Sequence, residues 1–212
     1  MSSGESSAPG HIIGALSNGT LIDAEKAKKI IKNIGSETVS KMSDKEREAF
    51  QKYTGTAYVN INATLRGIDK SFDVGNRENA KNLHAVLENA SLPCESTVYR
   101  GMSSNALGKL KKLSDKELIG KVFLDKGFMS TSLESNSAFG GDVILEIHAP
   151  AGTHGLYVGH ISAAGHYEEE VLFDMNQSMR IDFVTRDKFG RRLLKVTIIS
   201  VSYTHLTLPT IA

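Results

Sequence analysis

A single cysteine, Cys94, stands among 212 residues. That excludes an internal disulfide framework and suits a reducing compartment. No apolar run reaches the roughly 18 residues that a membrane helix needs, so no spanning segment is expected. The formal net charge is +1, too small for a basic field that recruits nucleic acid. The N-terminus has no charged stretch leading into an apolar one, and no secretory signal is read there. The seven histidines never take the HExxH spacing, and one cysteine builds no thiolate cluster, so no metal site is expected. Also missing are a GxGxxG that opens a helix after a strand and a phosphate-cradling GxxxxGK[ST]. What remains is an ordinary soluble composition, 40% hydrophobic and 23% charged. The length suffices for one sizeable core or two small ones.

The two ends differ from the middle. Residues 1–19 open with "MSSGESSAPG" and are expected to be a flexible tail or the stub of a linker. Residues 202–212 follow a complete strand with a composition unlike anything before them, and are expected to be a non-native tail. One domain is expected over residues 20–201. Its first half reads helical. "DAEKAKKIIKNI" sets Ala27, Ile30, Ile31 and Ile34 on one side. "SDKEREAFQKY" begins with a capping box, Ser43 and Glu46. "AYVNINATLRGI" sets Ile61, Leu65 and Ile68 on one face. "NRENAKNLHAVLENA" opens on Asn76 as a cap and repeats Ala80, Leu83, Val86 and Leu87. The second half reads as strands: "STVYRG", "KVFLDKGFMSTS", "DVILEIHAP", "GLYVG", "EEVLF", and the pair "MRIDFVTRD" and "RRLLKVTIISV", joined at "DKFG" as a hairpin. Helices first and strands later define an α+β fold, not an alternating doubly wound sheet.

Four pieces can carry chemistry. In "GHYEEEVLF", strand alternation puts Glu168 and Glu170 on one face and Glu169 on the other. Two carboxylates that close raise each other's affinity for protons and suit a developing cation. A solvated acidic turn reads the same way. In "VYRG", Arg100 can fork onto a phosphate or a carboxylate, and Gly101 lets a ligand approach the backbone. A strand-end arginine on the surface is the plain alternative. In "GFMSTSLESNSAFGG", Ser130 and Ser132 share a face, with Thr131 opposite. Phe139, flanked by glycines, is a stacking platform for a flat ring, or else tucks under its own loop. On the helix, Tyr58, Asn62 and Arg66 recur every four residues, as the lining of a nucleotide cleft or as a solvated polar face.

The order of these pieces resembles the Arg–Ser-Thr-Ser–Glu class of mono-ADP-ribosyltransferases. "INATLRG", "VYRG", "KGFMSTSLESNSAFGG", "ILEIHAPAGTHGLYV" and "YEEEVLF" carry the likeness, over about residues 20 to 200. It is similar above all to the enzymatic component of bacterial binary toxins and to related phage and effector domains. The resemblance implies N-terminal helices packed on a mainly antiparallel, split β-sandwich. It implies NAD as substrate, a target protein as acceptor, and transfer to an arginine. Glu170 matches the catalytic glutamate and Glu168 the acid that engages the acceptor. Arg100 matches the arginine on the NAD phosphate, and Ser130 the hydroxyl on the glutamate. Thr131 and Ser132 would hold the strand, Phe139 would pack near the nicotinamide, and Gly101 would offer its backbone to the nicotinamide amide. Tyr58, Asn62 and Arg66 fall where the family's helix meets NAD.

Two departures stand out. The family often carries an aromatic five residues before the catalytic glutamate; here that position is Gly165, followed by His166 and Tyr167. The loop after Phe139 often carries a basic residue for the phosphates; here it reads Gly140, Gly141, Asp142, which leaves the phosphates to Arg100 and Arg66. Two other readings compete: NAD glycohydrolysis with water as acceptor, and a non-catalytic module, for instance in a phage particle. Action outside the producing cell, delivery into a host by a signal-independent route, or phage association is the matching expectation for location.

Overall fold

The computed structural model describes residues 14–17, 20–69, 73–137, 140–163, 165 and 168–199. Phe139, His166, Tyr167 and residues 202–212 lie outside them. Within the stretch read as a tail, β1 (Gly14–Ser17) pairs antiparallel with β2 (Thr20–Asp23). Helix α1 (Ala24–Ser40) starts at Asp23, whose carboxylate accepts the Lys26 N–H at 2.7 Å. Its buried row is Ala27, Ile31, Gly35 and Val39. That row advances strictly by four, so Ile34 falls off it and is 41% exposed. Helix α2 (Asp44–Lys52) begins with the expected box of Ser43 and Glu46. A wide π-helical turn, Tyr53–Ala57, then leads into α3 (Tyr58–Leu65). The chain turns left-handed at Gly67 (φ +74°), so α3 stops early and Ile68 is left in solvent. Helix α4 (Val74–Leu87) is capped by Asp73, not Asn76; the Asp73 carboxylate accepts the Asn76 N–H at 2.8 Å. A short α5 (Asp115–Leu118), with its own box of Ser114 and Glu117, went unread in the sequence.

Eight further strands form one sheet. They are β3 (Ser96–Met102), β4 (Val122–Asp125), β5 (Met129–Ser132), β6 (Val143–Ala149), β7 (Gly155–Tyr157), β8 (Glu170–Phe173), β9 (Gln177–Arg186) and β10 (Arg192–Ile199). Their spatial order is β4-β9-β10-β6-β3-β5-β8-β7. The pair β6–β10 is parallel and every other neighbour is antiparallel. At the β3–β5 junction one residue pair, Tyr99 and Ser132, holds the ladder. The sheet all but splits there, as the family resemblance implied for a split sandwich.

Burial follows the split. Val171 and Phe173 of β8 and Met129 of β5 join the core that the five-stranded half covers with Leu145, Ile147, Leu194 and Val196. Leu172, between them, points the other way, into a second core with Phe50, Ile61, Leu83 and Leu87 from the helices. Such alternation is what a strand covered on both faces requires. Three layers result: helices, the small half-sheet β5-β8-β7, and the large half. No helix among the described residues is long and apolar enough to cross a membrane.

Candidate active site

Register decides which side chains meet. Ser130 lies opposite Leu172, and Ser132 opposite Glu170. Facing partners share a face, so Ser130, Ser132 and Glu170 point with Leu172 toward the helices. Thr131 points away, and its hydroxyl donates to the Val171 carbonyl at 2.8 Å, riveting β5 to β8. Ser132 accepts the Glu134 N–H at 3.0 Å. A cavity of about 620 Å³ opens where β3 and β5 part, roofed by the π-helical turn. Tyr58, Asn62, Arg100, Gly101, Ser130, Glu168 and Glu170 all line it, along with Tyr53, Met102 and Gly140. Buried Thr131 and Ser132 back the wall without lining it.

Glu170 is buried, with 3% of its surface exposed. Its Oε2 accepts the Ser162 hydroxyl at 2.7 Å, and the Ser130 hydroxyl bonds to it as well. Burial raises its pKa, while both hydroxyls and the Arg100 charge oppose the rise. Burial wins, so the hydroxyls aim the carboxylate but do not return it to the ordinary range. Glu168, less buried, is also raised, by burial and then by the neighbouring Glu170. Arg100 donates Nη1 to the Ser130 carbonyl at 2.8 Å, bridging the two half-sheets where their ladder is thinnest. Burial pulls its guanidinium pKa down, and Asp125, Tyr53 and Glu170 pull it up.

The three acidic residues do not sit on one regular strand. β8 begins at Glu170, and Glu169 is left-handed (φ +46°). That conformation costs a non-glycine residue roughly 1–3 kcal/mol. Glu168 and Glu170 still reach the cavity together, while Glu169 turns to Lys32 (2.6 Å) and Tyr157 (3.2 Å). Both acids line one cavity, with a left-handed residue between them where a regular strand was expected.

The face of α3 divides. Tyr58 stands 47% exposed at the rim. Asn62 is buried: its Nδ2 donates to the Tyr53 hydroxyl (2.9 Å) and to the Phe128 carbonyl (3.2 Å), and its Oδ1 accepts the Phe128 N–H (2.9 Å). This holds the entry of β5. A Cβ at 127 would come 2.6 Å from Asn62 Oδ1, so a larger residue there would push Asn62 off its bonds to Phe128. Arg66 donates Nε and Nη2 to the Asp125 carboxylate at 2.8 and 3.0 Å. It lines an adjoining cavity of about 280 Å³, which shares Met102 with the first.

Sequence reasoning missed two residues. Tyr53, buried in the π-helical turn, meets Ser130 and has its pKa pushed up to about 12, chiefly by burial. A π-helical turn often marks a functional site, yet leaves no sequence signal. Ser162 lies eight residues before Glu170 in an irregular loop, which Thr54 steadies by accepting the Ala163 N–H at 2.8 Å. The one available hint was general: a buried carboxylate needs donors.

Solved structures with this fold include Plx2a, an ADP-ribosyltransferase toxin from Paenibacillus larvae. It has a TM-score of 0.69 and 24% identity, over 84% of this chain and 96% of that one. The crystal structure of C3stau2 from S. aureus with NAD has a TM-score of 0.69 and 18% identity, over 84% and 97%. At these identities they establish the fold alone. Among curated proteins, the mono(ADP-ribosyl)transferase SpvB of Salmonella typhimurium is 29% identical over 165 residues, 66% of this chain. The Photox toxin of Photorhabdus laumondii is 27% identical over 186 residues, 76% of this chain. The chain spans 27% of SpvB's length and 42% of Photox's. The matching family model defines a class, the ADP-ribosyltransferases. Within it, the chain belongs to the ADP-ribosyltransferase exoenzyme family, whose model matches residues 23–202.

Proposed function

We propose that this chain transfers ADP-ribose from NAD to an arginine of a protein, with Glu170 as the catalytic carboxylate and Glu168 at the acceptor. One observation carries the reading: a buried carboxylate fixed by two hydroxyls faces a cavity that also presents a guanidinium and a second acid. NAD brings a ribose–nicotinamide bond whose cleavage gathers positive charge on the sugar. A carboxylate already in place, in a site with little water, stabilises that charge without reorganising. Arg100 commits one N–H to Ser130, and its charge suits a diphosphate. Glu168 orients the incoming guanidinium and takes its proton as the new bond to the ribose forms. Its raised pKa makes it the better base. Tyr58 and Gly101 line the cavity where the nicotinamide half would lie, and Arg66 borders the neighbouring space. Phe139 keeps its proposed place beside the nicotinamide from the resemblance alone. The relatives' names carry the word toxin, and action on the proteins of another cell is the corresponding reading here.

Incubation with labelled NAD and a mixed lysate tests the reading. Label on arginine side chains, located by mass spectrometry, supports it; neither label nor released nicotinamide refutes it. Glu168→Gln separates transfer from hydrolysis. Protein labelling is expected to fall at least about 100-fold while nicotinamide release stays within tenfold, the range that general-base catalysis supplies. Equal loss of both would remove Glu168 from the acceptor side.

The pH profile gives a further check. Glu170 must be ionised, and its pKa is raised, so activity is lost as pH falls through a value above the ordinary glutamate range. Ser162→Ala removes one of the groups that oppose the rise. A hydrogen bond to a charged group is worth roughly 1.5–3 kcal/mol, and 1.36 kcal/mol is one pH unit. The acid limb of kcat/KM is therefore expected to move up by about one to two units. An unmoved limb would detach Ser162 from the reacting carboxylate.

A further inference from the structure

We propose that Lys32 is a positioning residue of this site: by holding Glu169 in its left-handed turn, it sets Glu168 over the cavity beside Glu170. The inference rests on the roles given to Glu168 and Glu170 above. Among the described residues only Glu169 and Asn176 combine a side chain with positive φ. Asparagine tolerates that region; glutamate needs its surroundings to impose it. The alternative conformation is readable from the register. Ser132 faces Glu170, so an extended residue at 169 would carry Glu168 along the ladder to face Glu134. There it would leave the cavity and meet a like charge. The left-handed turn takes it off the ladder instead.

Two side-chain contacts hold the turn, and one ladder bond docks it on β5. Lys32 Nζ lies 2.6 Å from Glu169 Oε2, with the two side chains 33% and 24% exposed. The Tyr157 hydroxyl donates to the same oxygen at 3.2 Å. The Glu169 carbonyl accepts the Leu133 N–H at 3.0 Å, continuing the ladder one pair past Ser132 and Glu170. Helix α1 reaches this point because Gly35 lets it press onto β7; a Cβ at 35 would stand 2.7 Å from the Tyr157 Cβ and carbonyl oxygen. One turn earlier, Lys28 meets Glu134 at 2.7 Å. Helix α1 thus clamps the end of β5 and the start of β8, the two strands that carry Ser130 and Glu170.

The test is a double-mutant cycle read two ways. Lys32→Met is expected to slow protein ADP-ribosylation about tenfold, with KM for NAD within twofold and an unchanged far-UV circular dichroism spectrum. Lys32→Arg is expected to keep at least half the rate. Glycine turns left-handed at no steric cost, so in a Glu169→Gly background, adding Lys32→Met should cost less than twofold. Hydrogen exchange at the Leu133 amide reads, without any activity, whether residue 169 stays docked on β5: protection falls in Lys32→Met and returns in the double variant. Full rate and full protection in Lys32→Met, or the same tenfold loss on the Glu169→Gly background, would overturn the proposal. A wild-type protein that releases no nicotinamide would defeat the functional reading instead, and the exchange data would still decide the role of Lys32.

Discussion

Replacing Glu170 by glutamine is expected to slow nicotinamide release by about 100- to 1,000-fold while leaving the folded protein as stable as before, or more so. The two halves of that result have one cause. Glutamine keeps the shape, and its amide oxygen can still accept the Ser162 hydroxyl that now binds Oε2 at 2.7 Å. What it loses is a negative charge held almost wholly out of water. In the resting protein that charge is a liability, because its burial outweighs the two hydroxyls and Arg100 and raises the pKa. During cleavage the same charge faces a sugar turning cationic. Removing one preorganised electrostatic partner of this kind typically costs about 3–4 kcal/mol, which sets the factor. Two measurements check it: nicotinamide release at saturating NAD, and the melting temperature. A variant as fast as an active wild type would take the catalytic role from Glu170; a wild type that releases no nicotinamide would mark the chain as a non-catalytic module of the same fold. A variant that is slow only because it melts early would make Glu170 a structural acid.

How far the sequence carried the argument depends on how local each signal was. The Ser43–Glu46 box involves neighbours three residues apart, and it marked the start of α2 correctly. The same pattern at Ser114 and Glu117 starts α5; it went unread because no apolar row follows so short a helix. Asn76 was a sound cap by residue type, but Asp73 lies three residues nearer the N-terminus, and its carboxylate took the role. The alternating run "KVFLDKGFMSTS" held two strands, β4 at the outer edge of the sheet and β5 across the split. No period in the sequence distinguishes those fates, since only tertiary pairing separates them. For the site, seven of the residues that line the cavity, from four distant segments, were named by kind and order, while Tyr53 was not. The cavity itself depends on β3 and β5 parting beyond Tyr99 and Ser132, which no local pattern encodes. Arg66 shows the limit from the other side. Read with Tyr58 and Asn62 on one helix face, it lies just past the end of α3 beside a different cavity, and Asp125, 59 residues on, holds its guanidinium at 2.8 Å.

Arginine 100 carries the second large effect, and lysine and alanine there are expected to fail differently. The guanidinium bonds the Ser130 carbonyl across the split while its charge faces Glu170 and the cavity. Lysine supplies the charge but not the planar fork, and cannot hold that carbonyl and a diphosphate at once. One lost charge-assisted contact corresponds to roughly 1.5–3 kcal/mol, so KM for NAD in Arg100→Lys is expected to rise about 10- to 100-fold. The acid limb of its pH profile should stay in place, because a cation still opposes the desolvation of Glu170. Arg100→Ala loses the fork and the charge together. Its NAD affinity falls at least as far, and the Glu170 pKa, relieved of one of the influences that lower it, climbs, so the acid limb moves to higher pH. Sign and size are thus separable: the fork is read in KM, the charge in the pH at which activity disappears. NAD binding by Arg100→Lys at wild-type strength, measured calorimetrically, would take the diphosphate away from Arg100. An unmoved acid limb in Arg100→Ala would mean that its charge does not act on the carboxylate that faces the ribose.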